Sequence, residues 1–239
     1  RIHGHWKLTD IKPRETKLGK GAFLTFEMKM FKQTGEPVAN NTNTLFRYTP
    51  AAKAGEERRK APELPAATAT ADAKAPAPDW TRRLRYGEVS VGESLPALSL
   101  WLSYQRIVMS IAVDRMFSPI HHNRDQARAN GLADIIFNTR GYEMMFEITL
   151  RRWMGLDGKL RRLGPFKMGA SSHPGDIVTG TAKVLEKFER EGEHRVKLEV
   201  AVSNARGVAA SGEADTDQGG TGGNVPHALA AEARQGAGG

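Results

Sequence analysis

The sequence predicts an α+β protein in which an antiparallel sheet packs against one long helix. Three observations lead there. Tyr142–Met154 carries Met145, Phe146, Ile148, Leu150 and Trp153 close to helical spacing. After it come short apolar runs at 166–168, 177–187, 196–203 and 208–213, which read as consecutive strands. Before it, Pro119 to Gly131 reads as a loop, a short helix from about Arg124 and a glycine stop. Strand, loop, one long helix and a meander is an α+β order.

From the start of the chain, residues 1–48 form a first block. Ala22 to Phe31 alternates apolar and polar side chains, Gln33-Thr-Gly-Glu36 is a turn, and Pro37–Tyr48 is a second strand. This reads as a long β-hairpin, which is marginal alone and requires a partner surface. Residues 51–79 are rich in alanine, proline, lysine and glutamate, with Leu64 almost the only large apolar side chain. Such a stretch buries too little to offset its ordering entropy, so it is expected to be a flexible linker. The second block, 80–215, opens with Val89, Val91 and Gly92 as a short strand and turn. Ser99–Val113 reads as a further strand, before the loop and helix above. The Gly/Ala-rich end, 216–239, is expected to be a disordered tail.

The chain has 239 residues and a net charge of +8, from 35 basic and 27 acidic side chains. Residues 1–60 alone contribute +7, with 13 basic against 6 acidic groups. A basic surface attracts polyanions. No helix-turn-helix, zinc-finger or aromatic RNP pattern accompanies it, so nucleic acid is not expected as a partner. Cysteine is absent, which excludes disulfides, thiolate metal sites and a thiol nucleophile. His3, His5 and His173 stand apart from any ligand-spaced residue, so no metal is expected. No apolar run approaches a bilayer span and no signal pattern opens the chain, which points to the cytoplasm. Residue 1 is arginine, so the sequence is read as a fragment or as a product whose beginning is missing.

Chemistry concentrates in Ser118-Pro-Ile-His-His-Asn-Arg-Asp-Gln-Ala-Arg-Ala-Asn-Gly-Leu132. Two histidines follow a proline-stiffened loop just before a helix, and histidine moves protons near neutral pH. Read alone, they are equally two loop histidines satisfied by backbone.

This stretch resembles the MaoC-like acyl dehydratase/hydratase family, which has the hotdog fold, a sheet wrapped around a central helix. The family motif runs roughly Asp-x-Asn-Pro-(Ile/Leu)-His-x-Asp, then alanine and glycine. This chain has Met116-Phe-Ser-Pro-Ile-His121-His-Asn123, Ala127 and Gly131. Ala133–Gly141 and the helix after it match the family's next elements, and Gly175-Asp176 leading to Val184 is similar to its Pro-Gly-Asp strand start. The first block resembles the late strands of an N-terminal hotdog half that is incomplete, its helix absent.

The resemblance implies hydration of a trans-2-enoyl-CoA, or dehydration of a 3-hydroxyacyl-CoA. Coenzyme A enters as part of the substrate and no other cofactor is implied. His121 falls on the catalytic histidine. Met116 stands where the family has its aspartate, and Asp114, two residues earlier, is the candidate replacement. On a strand it would keep the same face, displaced by about 6–7 Å. Asn138, Thr139 and Gly141, at the start of the helix, are the implied donors to the thioester oxygen. His122 and Asn123 flank the motif, and Asn123 replaces a family aspartate. Arg151, Arg152, Lys159, Arg161, Arg162 and Lys167 form a basic cluster. It suits a helix C-terminus, or, through Arg161 and Arg162, the phosphates of coenzyme A. The alternative is a non-catalytic acyl-CoA-binding subunit whose partner holds the intact acid–histidine pair. A homodimer or a hetero-oligomer with another hotdog subunit is expected in either case.

Overall fold

The computed structural model describes residues 1–16, 19–50, 79 and 81–218. The expected linker, apart from Asp79, lies outside these residues, as does the tail beyond Gln218. The chain divides into two units. One holds Arg1–Leu64 with Arg124–Asp134, the other Pro65–Asn123 with Ile135–Gly239.

In the first unit, β1 (Ile2–Thr16), β2 (Gly19–Lys32) and β3 (Pro37–Pro50) form an antiparallel sheet in that order. The expected hairpin is β2–β3. Its turn closes through the Gly35 N–H donating to the Lys32 carbonyl at 3.0 Å, with Gly35 at φ 84°. The added strand β1 escapes a period-2 reading because a bulge lies between Leu8 and Asp10. Trp6 and Leu8 pair with Met28 and Phe26, and after the bulge Ile11 pairs with Leu24. The apolar positions thus change from even to odd while staying on one face. The short helix α2 (Arg124–Ala129) also belongs to this unit, and Gly131 follows it with φ 79°.

The second unit is a five-stranded antiparallel sheet of order β4-β6-β7-β8-β5. Its strands are β4 (Leu98–Trp101), β5 (Lys159–Met168), β6 (Ile177–Arg190), β7 (Glu193–Asn204) and β8 (Gly207–Asp217). Against β6 and β7 lies α3 (Thr139–Met154), the expected central helix. Tyr142, Met145, Phe146, Thr149, Leu150 and Trp153 make its buried face, whereas Ile148 turns outward. Facing it, Val178, Ala182 and Val184 of β6 and Val196, Leu198, Val200 and Val202 of β7 alternate with exposed or half-buried neighbours. Each such full burial contributes about 1.5–3 kcal/mol, so this helix–sheet contact dominates the unit's stability.

Four sequence expectations change. Ser99–Val113 is not one strand: β4 ends at Trp101 and α1 (Tyr104–Asp114) follows. The Ser103 hydroxyl caps α1 by accepting the Arg106 N–H at 3.1 Å, and Ile107 and Ile111 bury one side of it. Val108, Met109 and Val113 are apolar yet exposed, and they mask the helical period. The Val89–Gly92 segment is not a strand. A 3-10 turn at Tyr86–Glu88 leads into it, and the Gly92 and Leu95 N–H groups donate to Val184 and Ala182 of β6. Strand β5 begins at Lys159 rather than 166, so Arg161 and Arg162 lie on a strand. Strand β8 runs to Asp217 and buries Asp215, Thr216 and Asp217, so 216 and 217 belong to the sheet rather than to a tail. Among the described residues no helix is long and apolar enough to cross a membrane.

Candidate functional site

The site gathers at the N-terminal end of α3. Asn138 is the cap residue and is 1% exposed. Its Oδ1 accepts the Gly141 N–H at 2.9 Å, satisfying one of the donors that a helix start leaves over. Its Nδ2 donates to Asp114 Oδ2 at 2.9 Å. A single buried amide therefore ties the C-terminal end of α1 to the N-terminal end of α3.

Asp114 is consequently a helix-end residue and not a strand residue, and the same-face argument for it does not apply. Arg115 follows in the left-handed region at φ 52°, turning the chain away, and Met116 comes next, half-buried. The structure joins Asp114 to Asn138, and through the amide to the helix cap.

His121 closes a 3-10 turn, Pro119–His121, and is buried at 8% exposure. Its Nδ1 lies 2.8 Å from the Ile136 carbonyl. A carbonyl only accepts, so Nδ1 carries the hydrogen, and in the neutral ring Nε2 keeps its lone pair. One backbone contact therefore sets both the tautomer and the ring orientation of a potential base. A backbone-satisfied loop histidine is what this nitrogen shows, and the second nitrogen is left available for chemistry. His122 and Asn123 are exposed.

At the start of α3 the expected donors separate. The Gly141 N–H is already engaged by the Asn138 side chain at 2.9 Å and its carbonyl at 3.0 Å. The Gly141 N–H is thus spent within the helix cap. The first-turn N–H groups of Thr139 and Arg140 lie outside the intrahelical ladder on exposed residues, with the positive end of the helix dipole behind them.

Glu143, which the sequence alone did not single out, stands on the same helix, half-buried. Burial pushes its carboxyl up, the Arg140 guanidinium opposes this, and the Asp114 charge adds to the rise. A folded-state value above the unfolded one means that stability is full below the unfolded value and is lost as pH rises through the folded value. Glu143→Gln should therefore raise Tm by about 1–2 °C at pH 7 and leave it level with the parent at pH 4, in thermal melts at both pH values.

Arg161 and Arg162 have other partners than a ligand phosphate. Arg162 donates from Nε to Asp215 Oδ2 at 2.8 Å and from Nη2 to Glu213 Oε2 at 3.0 Å, which drives its already high pKa higher still. Arg161 pairs with Glu193 and, at 3.5 Å, with Asp217. Both arginines neutralise carboxylates of the neighbouring strands, of which Asp215 and Asp217 are buried. Both arginines of the expected coenzyme A pair therefore have carboxylate partners within the chain. Arg162→Met should leave the KM for a thioester unchanged. It should lower Tm by about 2–8 °C, because Asp215 loses its bidentate partner at a cost of about 1–2 kcal/mol for a part-exposed pair.

No family model matches the chain. The 3-oxo-4,17-pregnadiene-20-carboxyl-CoA hydratase beta subunit of Mycobacterium tuberculosis is 30% identical over 94 residues, 39% of this chain and 72% of that protein. The crystal structure of the ChsH1-ChsH2 complex from the same organism superposes with a TM-score of 0.50 at 25% identity, over 54% of this chain and 98% of that one. A MaoC-like dehydratase structure covers 90% of this chain and 69% of its own, with a TM-score of 0.64 at 16% identity. The fold, a sheet wrapped on one central helix, is shared with these structures, and with the hydratase subunit as a relative the chain belongs to the MaoC-like hydratase/dehydratase family of hotdog proteins.

Proposed function

We propose that the chain is an acyl-CoA hydratase/dehydratase that adds water across a trans-2-enoyl-CoA and removes it from a 3-hydroxyacyl-CoA. The observation that carries this reading is His121, whose Nδ1–H on the Ile136 carbonyl leaves Nε2 as a base. In hydration, Nε2 takes a proton from water and the water oxygen bonds to the β-carbon. The electron pair of the double bond moves toward the thioester, whose oxygen takes the negative charge. The N–H groups of Thr139 and Arg140 at the helix start receive that charge. The α-carbon takes a proton from a carboxylic acid, Asp114 or one on a partner chain, and the proton that Nε2 gained from water then passes to that carboxylate, returning both groups to their starting states. Coenzyme A is part of the substrate, and the reading needs no other cofactor.

A second reading is favoured by one specific observation. The motif position of the acid is Met116, and Asp114 already accepts from Asn138. The chain would then be a non-catalytic, acyl-CoA-binding hotdog subunit of a hetero-oligomer, its partner holding the intact acid–histidine pair. The similarity to the ChsH1-ChsH2 complex supports association with a second hotdog subunit.

The test follows enoyl absorbance of a panel of trans-2-enoyl-CoA thioesters with the purified chain. Turnover by the chain alone supports the first reading. Turnover that arises only with a second hotdog subunit supports the second, and binding without turnover in any mixture overturns both as a hydratase.

A further inference from the structure

We propose that His173, a histidine outside the family motif, is a positioning residue for His121 and for the start of α3; the proposal rests on the hydratase reading above. Residues Ile135–Phe137, just before the Asn138 cap, run between two flanking segments. On one side the Ile136 N–H donates to the Ile120 carbonyl at 3.2 Å, and the Ile136 carbonyl accepts from His121 Nδ1 at 2.8 Å. On the other, the Phe137 N–H donates to the Ser172 carbonyl at 2.8 Å, and the Ile135 carbonyl accepts from His173 Nδ1 at 3.1 Å. Successive residues of an extended chain present their N–H and C=O groups to opposite sides, so one three-residue strap serves both rings. The carbonyl that orients His121 is one peptide unit from the carbonyl that His173 holds.

His173 is itself held firmly. It is 6% exposed, and its own N–H donates to Asp176 Oδ2 at 2.7 Å. Arg206 clamps Asp176 with both terminal nitrogens, Nη1 reaching Oδ1 at 3.0 Å. Arg206 and Asn204 both donate to the Ser171 carbonyl, and Asn204 also donates to Ser172 Oγ at 2.8 Å. The Gly175 N–H donates to the Leu102 carbonyl at 2.7 Å, joining this loop to the end of β4. The Pro-Gly-Asp turn thus does more than start β6. It presents one imidazole N–H to the strap, and the strap in turn aims the catalytic ring and sets the cap of α3. Small displacements of a reacting group are costly: about 1 Å can lose on the order of 10²-fold in rate.

The test uses the full chain and two substitutions. His173→Asn keeps an N–H donor on a side chain of similar reach, and His173→Leu keeps bulk and loses the donor. In hydration of a trans-2-enoyl-CoA, His173→Leu should lower kcat about 10–100-fold with KM within about twofold, and His173→Asn should restore kcat to within about threefold of the parent. A second readout does not depend on turnover. The His121 Nδ1–H signal in proton and nitrogen NMR should persist in the parent and in His173→Asn, and shift or broaden away in His173→Leu. If the parent turns over no thioester, the hydratase reading fails, and the NMR comparison alone decides the positioning role. Unchanged kcat and an unchanged His121 signal in a folded His173→Leu would overturn the proposal, as would His173→Asn being as impaired as His173→Leu.

Discussion

His121→Ala should reduce hydration of a trans-2-enoyl-CoA by about 10²–10⁴-fold, the range that a positioned general base contributes. The loss should fall on kcat, because the ring acts on water and leaves the acyl and coenzyme A groups of the substrate untouched. The fold should survive. The substitution removes one side chain from a turn and leaves the Ile136 carbonyl without its donor, a cost of about 1–3 kcal/mol. Circular dichroism and a thermal melt verify the fold, and enoyl absorbance reads the rate. Turnover equal to the parent's would remove His121 from the mechanism. Turnover absent from parent and variant alike would favour the subunit reading, in which a partner chain holds the intact acid–histidine pair. Adding that chain should then give activity with the parent and with His121→Ala alike, whereas rescue of the parent alone would return His121 to the mechanism.

Gly141→Ala should produce the largest structural effect of any single methyl group near the site. An alanine Cβ would lie 2.2 Å from Phe137 Cζ and 2.5 and 2.6 Å from the adjacent ring carbons. The Phe137 ring is 4% exposed and meets Tyr142 edge-on at a centroid distance of 5.1 Å, so it has no open direction in which to move. Two effects compete. Replacing glycine by alanine inside a helix normally gains up to about 1 kcal/mol, and overpacking a tight core costs about 1–3 kcal/mol. In the first turn the propensity gain is smaller and the clash is with a rigid ring, so the clash wins. We expect a net loss of about 2 kcal/mol and a Tm lower by about 4–8 °C. Activity should fall further than stability, because Phe137 is the last residue of the strap that holds His121 and adjoins the Asn138 cap. Adding Phe137→Leu should recover part of the loss, a coupling that a double-mutant cycle measures. A Tm that rises in Gly141→Ala would show that the ring does not sit on this glycine.

The elements that were legible from the chain share one property: their pattern is local. The buried residues of α3 recur at helical spacing, those of β6 and β7 recur at every second position, and Gly35 closes the β2–β3 turn. Each can be read within a window of a dozen residues. The misread elements fail for identifiable reasons. Strand β1 changes parity at its bulge. Helix α1 is apolar on its exposed side as well as its buried one, so its period disappears. The last residues of β8 are acidic, and their burial depends on arginines of β5 more than fifty positions earlier.

The site divides in the same way. Proline, histidine and a following helix mark His121 as a candidate from sequence alone, and its resemblance to the family motif names the chemistry. The tautomer of that ring, the linkage of Asp114 to Asn138, the engagement of the Gly141 N–H and the burial of Glu143 could not be read there. Each depends on which groups three-dimensional folding brings within hydrogen-bonding distance. Asp114 and Asn138 are 24 residues apart, and Ile135 and His173 are 38 apart. Residue type and short spacing determine which chemistry a segment can offer. Hydrogen bonding and burial fall off over a few ångströms, so only the packed chain decides which of those groups is aimed, shielded or already spent.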